Sequence, residues 1–241
     1  MTWHDGFSRL LRRVRRGWQR NGLFGFLHLV LRNLSYGIRS AVKGGVPERR
    51  VDGFDRRHGT DTGGIREAGS LDVASRNSLH ANRYQATDDD LLEAIFSDMK
   101  IDFSRYTFID FGSGKGRVLL KASFYPFRKI VGLEFSSELH ETALDNVRIF
   151  SDPNQQCHRI QPECRDATEY DLPETPLVCY FYNPFDATVM EKVVGRLAEH
   201  RKSNGVPVIV IYVDPVHRSV FERTGIFKLA RDHPQFIQLM A

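Results

Sequence analysis

The chain has 241 residues, 41% hydrophobic and 27% charged, a composition that fits one large soluble domain or one domain with an appendage. Its three cysteines, Cys157, Cys164 and Cys179, have neither a disulfide framework's spacing nor a zinc set's, so buried free thiols, no metal and a reducing, cytoplasmic compartment are expected. The net charge of +4 is uneven, because residues 1–50 hold 11 Lys/Arg against two acids while the remainder is mildly acidic, a poor surface for a nucleic-acid backbone.

Within that basic start, Phe7, Leu10, Leu11, Val14 and Trp18 fall at helical spacing, with arginines over the rest of the surface. The apolar run at 23–31 is too short to span a bilayer, and no small-residue cleavage site accompanies it. Three roles stay open for residues 6–31: a cover for the core, a peripheral contact with an anionic inner membrane surface, or a contact with substrate or nucleic acid. Gly44-Gly45-Val46-Pro47 breaks the chain, so the expected organisation is a basic amphipathic helical arm at 1–45, an entry segment at 46–100 and a core at 101–241.

The entry segment reads mostly as loop from 51 to 84, with Asp61 to Gly64 as a tight turn in a flap over a ligand mouth and Tyr84 as an aromatic edge. From Asp88 to Met99 a helix is expected, capped by Thr87 or Asp88, with Leu91, Leu92, Ile95, Phe96 and Met99 inward.

The core opens on an apolar strand, Thr107–Phe111, carrying Asp110 near its end. Gly112-Ser113-Gly114-Lys115-Gly116 follows, where small residues let the backbone turn tightly and let a ligand approach its N–H groups. A helix from Arg117 to about Tyr125, ended by Pro126, leads to a second apolar strand, Lys129–Phe135, with Glu134 at its tip. The glycines are spaced G-x-G-x-G rather than the G-x-G-x-x-G of dinucleotide enzymes, and Lys115 is not followed by the Ser or Thr of a Walker A loop. An aspartate just before the turn repels a phosphate and suits a cationic or zwitterionic ligand. Glu134 is placed to accept hydrogen bonds from two ribose hydroxyls.

This unit resembles the first two motifs of the class I S-adenosylmethionine-dependent methyltransferases. The resemblance spans about Tyr84 to Ala241. It implies an α/β fold, a Rossmann-like seven-stranded mostly parallel sheet of order 3-2-1-4-5-7-6 with the last strand antiparallel and helices on both faces. It also implies S-adenosyl-L-methionine as cofactor. The cofactor-binding positions it implies are Asp110, Gly112, Ser113, Gly114, Gly116, Arg117, Glu134 and Phe135, with Asp166 and Ala167, after a short strand near 158–163, at the adenine. A turn aspartate that caps local N–H groups is the competing reading of Asp166.

The fourth strand, Leu177–Tyr182, ends in Asn183-Pro184-Phe185, where the reacting centre of such a fold lies. Asn183 offers a carbonyl oxygen to a nucleophilic N–H, Pro184 fixes the turn, and Phe185 can cover substrate or sulfonium. The tripeptide resembles the Asn-Pro-Pro-Tyr/Phe type motif of adenine and glutamine N-methyltransferases without its second proline. YFYNPF, with Tyr84 upstream, also resembles the Dot1-like protein-lysine methyltransferases. The expected catalytic set is therefore Asn183, Pro184, Phe185 and Tyr84. Tyr180 and Tyr182 are candidates to line an acceptor pocket, but whichever faces a covering helix is expected to be core. Val206–Val213 reads as a fifth strand and 227–231 with 235–240 as a terminal pair. The reading is a methyltransferase for a nitrogen nucleophile, with a protein lysine first, a small molecule next and nucleic acid third. An NAD-dependent oxidoreductase and a non-catalytic binding module are the rivals.

Overall fold

The computed structural model describes residues 53–66, 84–85 and 87–241, and the chain separates into two compact units, Met1–Glu48 and Arg49–Ala241. The basic arm, its amphipathic pattern and the Gly44–Pro47 break lie outside the described residues. Elements run in the order α1 (Gly53–His58), β1 (Ile65–Arg66), β2 (Tyr84–Gln85), α2 (Asp89–Ser97), β3 (Thr107–Phe111), α3 (Arg117–Ala122), β4 (Lys129–Glu134) and α4 (Ser137–Ile149). They continue as β5 (Ile160–Cys164), β6 (Leu177–Tyr182), α5 (Ala187–Asn204), β7 (Val208–Val213), α6 (Arg218–Glu222), β8 (Lys228–His233) and β9 (Phe236–Met240).

Seven strands form one sheet in the order β5-β4-β3-β6-β7-β9-β8. The pairs from β5 to β7 are parallel, and β9 runs antiparallel to both β7 and β8. Counted from β3, this is the expected 3-2-1-4-5-7-6. The strands alternate between two cores. Ile109, Phe111, Leu133, Cys179, Phe181 and Tyr212 face α5 and α6, whereas Phe108, Ile130, Val178, Tyr180 and Ile211 face α2 and α3. Burial on both faces explains why these strands read as continuous apolar runs.

Helix boundaries follow local chemistry. Asp88 caps α2 by accepting from the N–H groups of Asp90 and Leu91, and Asp186 does the same for α5 through Thr188 and Val189. Helix α5 runs four residues past the expected His200 and stops at Gly205, whose φ of 66° gives the left-handed end that a glycine tolerates. Helix α3 ends at Ala122, before the expected Tyr125, with the Ser123 hydroxyl donating to the Leu120 carbonyl.

The entry segment is the main departure, because a helix, α1, stands where loop was expected. His58 closes it, with Nδ1 on the Phe54 carbonyl at 2.9 Å and Nε2 on Asp152 at 2.8 Å. Those contacts are with residues far along the chain or within one turn, so apolar periodicity carries no trace of them.

Candidate active site

Parallel strands β3, β4, β5, β6 and β7 deliver their carboxyl ends to one side of the sheet, and the glycine loop turns there between β3 and α3. Both Gly112 N–H and Ser113 N–H donate to the Leu133 carbonyl, at 2.9 and 3.0 Å, which fastens the loop to β4. Gly112, Gly114 and Gly116 have φ of 87°, 53° and 85°, a region closed to most side chains. A Cβ on Gly112 would sit 2.7 Å from Pro184 Cβ, so the glycine loop and the Asn183-Pro184-Phe185 turn touch. The Ser113 hydroxyl is buried and has no protein partner among the described residues.

Two carboxylates lie under this loop. Glu134 is buried and accepts from Gly114 N–H at 2.9 Å with Oε2 and from Ser136 N–H at 2.8 Å with Oε1. Burial pushes its carboxyl up to about 7, against the downward pull of the backbone N–H groups. Asp110 is also buried, and burial together with the nearby Glu134 charge raises it well above the ordinary carboxyl range. A cationic ligand group placed here favours the ionised form of both.

A cleft beside the tip of β4 is lined by Leu133, Phe135, Asp166, Ala167, Phe185 and Val189, with Arg165 at its edge. It brings together four positions expected to serve the ligand. Asp166 Oδ1 accepts from the Thr168 N–H at 2.9 Å and its hydroxyl at 2.7 Å, so the aspartate builds a turn as well as facing the cleft. Phe185 is 5% exposed and lines this cleft.

At the tip of β6, Asn183 has φ of 39° and donates from Nδ2 to Asp214 Oδ2 at 3.3 Å. Tyr180 is fully buried and shares a 3.0 Å hydrogen bond with Thr87, so it is the core tyrosine of the pair. Tyr182 is half-buried at the strand end. Tyr84 enters through its backbone, in β2 opposite Arg66 of β1.

Arg117 departs from the expected ligand set through its side chain. The guanidinium is buried, bonds Asp89 from Nε and Nη2 at 3.1 and 2.9 Å, donates from Nη1 to Thr62 at 2.7 Å, and lies over the Phe54 ring. The physical reason is a strap formed by residues 53–64. Asp55 accepts from the Thr60 hydroxyl, from the Thr62 N–H and hydroxyl and from the Gly63 N–H, which folds Thr60–Gly63 into a fixed turn. Those bonds hold the Asp55 carboxylate below the ordinary range in spite of burial. Lys115 then points out of the glycine loop into this turn, with Nζ on Asp61 Oδ1 and on the Gly63 carbonyl, each at 2.9 Å. The expected flap is thus a brace bonded to the loop itself.

Two positions escaped the sequence reading. Asn146 of α4 donates to the Asp61 and Lys115 carbonyls, at 3.0 and 2.9 Å, and accepts from Asp61 N–H at 2.8 Å, tying strap, loop and helix together. Gly132 in β4 leaves room for Ser113 and Leu119, because a Cβ there would lie 2.7 and 2.5 Å from their side-chain atoms. A glycine inside an apolar strand is the signal that marks it; an asparagine in a helix carries none.

No family model matches the chain, and no curated protein matches it. Similar solved structures include a ribosomal protein L11 methylase from Lactobacillus delbrueckii subsp. bulgaricus, 14% identical over 67% of this chain and 80% of that one, with a TM-score of 0.45. An RNA methyltransferase from Salinibacter ruber in complex with S-adenosyl-L-homocysteine is 17% identical over 64% of this chain and 90% of that one, at a TM-score of 0.43. A precorrin-6y C5,15-methyltransferase from Geobacter metallireducens GS-15 is 16% identical over 71% of this chain and 92% of that one, at 0.46. Among the described residues no helix is long and apolar enough to cross a membrane, and no cluster of His, Cys, Asp and Glu fits a metal ion. By its own strand order, with the last strand antiparallel, the chain has the fold of the class I methyltransferases.

Proposed function

We propose that this chain is an S-adenosyl-L-methionine-dependent methyltransferase acting on a nitrogen nucleophile, with a protein lysine as the first candidate acceptor. The observation that carries the reading is the contact of Gly112 with Pro184, which makes the left-handed glycine loop and the strand-end Asn183 turn one continuous wall. The residues suit the cofactor chemically. Asp110 and Glu134 favour a ligand with positive charge, and Glu134 keeps lone pairs for ribose hydroxyls beyond the two N–H bonds it already accepts. The mostly apolar cleft between Phe135, Ala167 and Phe185 suits a flat purine, with Asp166 at its rim. Ser113 offers a buried hydroxyl still lacking a protein partner among the described residues.

When bound, the cofactor would supply a methyl group already activated on a sulfonium, so the chain itself need form no covalent intermediate. The chain's own task is positioning and water exclusion. Asn183 and Tyr84 are assigned to the acceptor rim, Pro184 sets the turn, and Phe185 walls the cleft. Arg117 is reassigned to bracing the loop from behind. An NAD-dependent oxidoreductase fits less well, because the glycines are spaced G-x-G-x-G rather than G-x-G-x-x-G and Asp110 just before the turn suits a cationic ligand better than a pyrophosphate.

Isothermal titration with S-adenosylmethionine, S-adenosylhomocysteine and NAD tests the reading. Heat with the first two supports it; heat with NAD alone overturns it. Transfer of labelled methyl into a cell extract, followed by protease or nuclease digestion, then tests the acceptor class. Label that survives protease and disappears with nuclease rejects the protein lysine.

A further inference from the structure

The tips of β6 and β7 hold a feature that cofactor binding leaves unexplained. Among the described residues only Asn183 and Asp214 combine a side chain with positive φ, 39° and 48°. They follow directly on Tyr182 and Val213, which are opposite each other in the sheet. Two strained residues side by side at a crevice mark a place where side-chain direction matters more than backbone comfort.

The hydrogen bond between them fixes that direction. A carboxylate only accepts, so the Asn183 amide turns its NH2 to Asp214 Oδ2, at 3.3 Å, and its oxygen faces the other way, into the protein, where it is buried. Asp214 is itself held from the backbone. Its N–H donates to the Gln235 carbonyl at 3.0 Å, its carbonyl accepts from Val216 N–H at 2.8 Å, and the loop is pinned again where His217 N–H meets the Tyr212 hydroxyl at 3.3 Å. The carboxylate is exposed, and no ion pair among the described residues uses it. Beside it Val216, 63% exposed, presents apolar surface to water.

We propose that Asp214 is a specificity-determining residue of the acceptor site, and that the acceptor is a primary alkylammonium rather than an amide or a hydroxyl. The inference rests on the methyltransferase reading above. Asp214 attracts the ammonium, Val216 covers the methylene stem, and the Asn183 amide holds the direction of the carboxylate. Transfer needs the neutral amine, so the ammonium releases its proton to bulk solvent before its lone pair attacks, and the attraction to Asp214 opposes that release while favouring binding. An amide gains nothing from the carboxylate, and a hydroxyl presents no cation to it.

The test uses three ligands on the full chain by isothermal titration. One is S-adenosylhomocysteine. The others are cofactor analogues with nitrogen in place of sulfur, one carrying a three-carbon arm that ends in an ammonium and one an n-butyl arm of equal length. In the wild-type protein the ammonium arm is expected to bind about ten-fold or more tightly than the butyl arm, the size of one charge-assisted hydrogen bond. In Asp214→Asn that ratio falls to about one while S-adenosylhomocysteine affinity is kept, since asparagine tolerates the same backbone and the site is exposed. A wild-type ratio near one, or a ratio unchanged in Asp214→Asn, overturns the proposal while leaving the methyltransferase reading standing. Failure of S-adenosylhomocysteine itself to bind overturns that reading and the proposal with it.

Discussion

The two halves of the crevice solve one geometric problem in opposite ways. At the tip of β3 the chain turns sharply with glycines at positive φ, and the nearby acids, Asp110 and Glu134, are buried. At the tips of β6 and β7 it turns with Asn183 and Asp214 at positive φ, and the acid is in water. Glycine serves where the backbone must approach a ligand; a polar side chain serves where the side chain must. The first half keeps its acids inside the fold, beneath a turn that only glycines allow. The second carries its strain in residues whose replacement should cost little stability.

The largest effect should come from behind the glycine loop. Arg117→Met removes the cation buried among Asp55, Asp89 and Thr62, a loss in the range of about 3–5 kcal/mol for a broken buried pair, read from urea unfolding. Because the side chain points into the strap, stability should fall more than cofactor affinity per folded molecule. The reverse order would restore Arg117 to the ligand set. Gly112→Ala follows, at about 2–5 kcal/mol, from a left-handed alanine combined with the 2.7 Å approach to Pro184. Gly205→Ala, also at positive φ but with nothing within 4 Å, is the control and should cost only about 1–2 kcal/mol.

Glu134→Gln should weaken S-adenosylhomocysteine binding by about ten- to a hundred-fold, because the amide cannot accept from Gly114, Ser136 and two ribose hydroxyls together. Its pH dependence has a definite sign. The folded protein holds the Glu134 proton up to about pH 7 while the unfolded chain releases it near 4.5. Between those values the native state binds more protons, so this group's contribution to stability falls as pH rises. The stability of wild type relative to Glu134→Gln should therefore decline from pH 5 to pH 8 in parallel melts. A rising difference would mean that backbone N–H bonds outweigh burial at this carboxylate. The smallest effect belongs to the other half. Asn183→Gly relieves the strained turn and should leave stability within about 1 kcal/mol while abolishing the advantage of an ammonium-armed ligand.

The same contrast explains what the sequence made legible. The strands, the glycine turn and the acid at the tip of β4 were readable because each has a local signature, namely an apolar run, glycines at fixed spacing and an acid at a strand end. The strand order came only from the family resemblance those signatures carry. Helix α1 and the Asp55 hub were not, since every bond that stabilises them reaches outside the apolar period on which helix reading depends. Arg117 was assigned to the ligand by its place after the loop, and only the side chain's direction sends it to Asp89. Asp214 escaped as well. A carboxylate before a proline at the end of β7 looks like an ordinary turn residue until its φ and its bond to Asn183 are seen.

The Lys115 ammonium sits in a loop 4% exposed, and its two partners, Asp61 and the Gly63 carbonyl, come from more than fifty residues upstream. A chain trimmed to the sheet and its helices, starting at Thr87, would keep that lysine and lose both partners. The buried charge would then have to find water, and the loop would open to provide it. A piece that keeps the braced glycine loop accordingly starts no later than Gly53, some fifty residues before the first strand of the seven-stranded sheet.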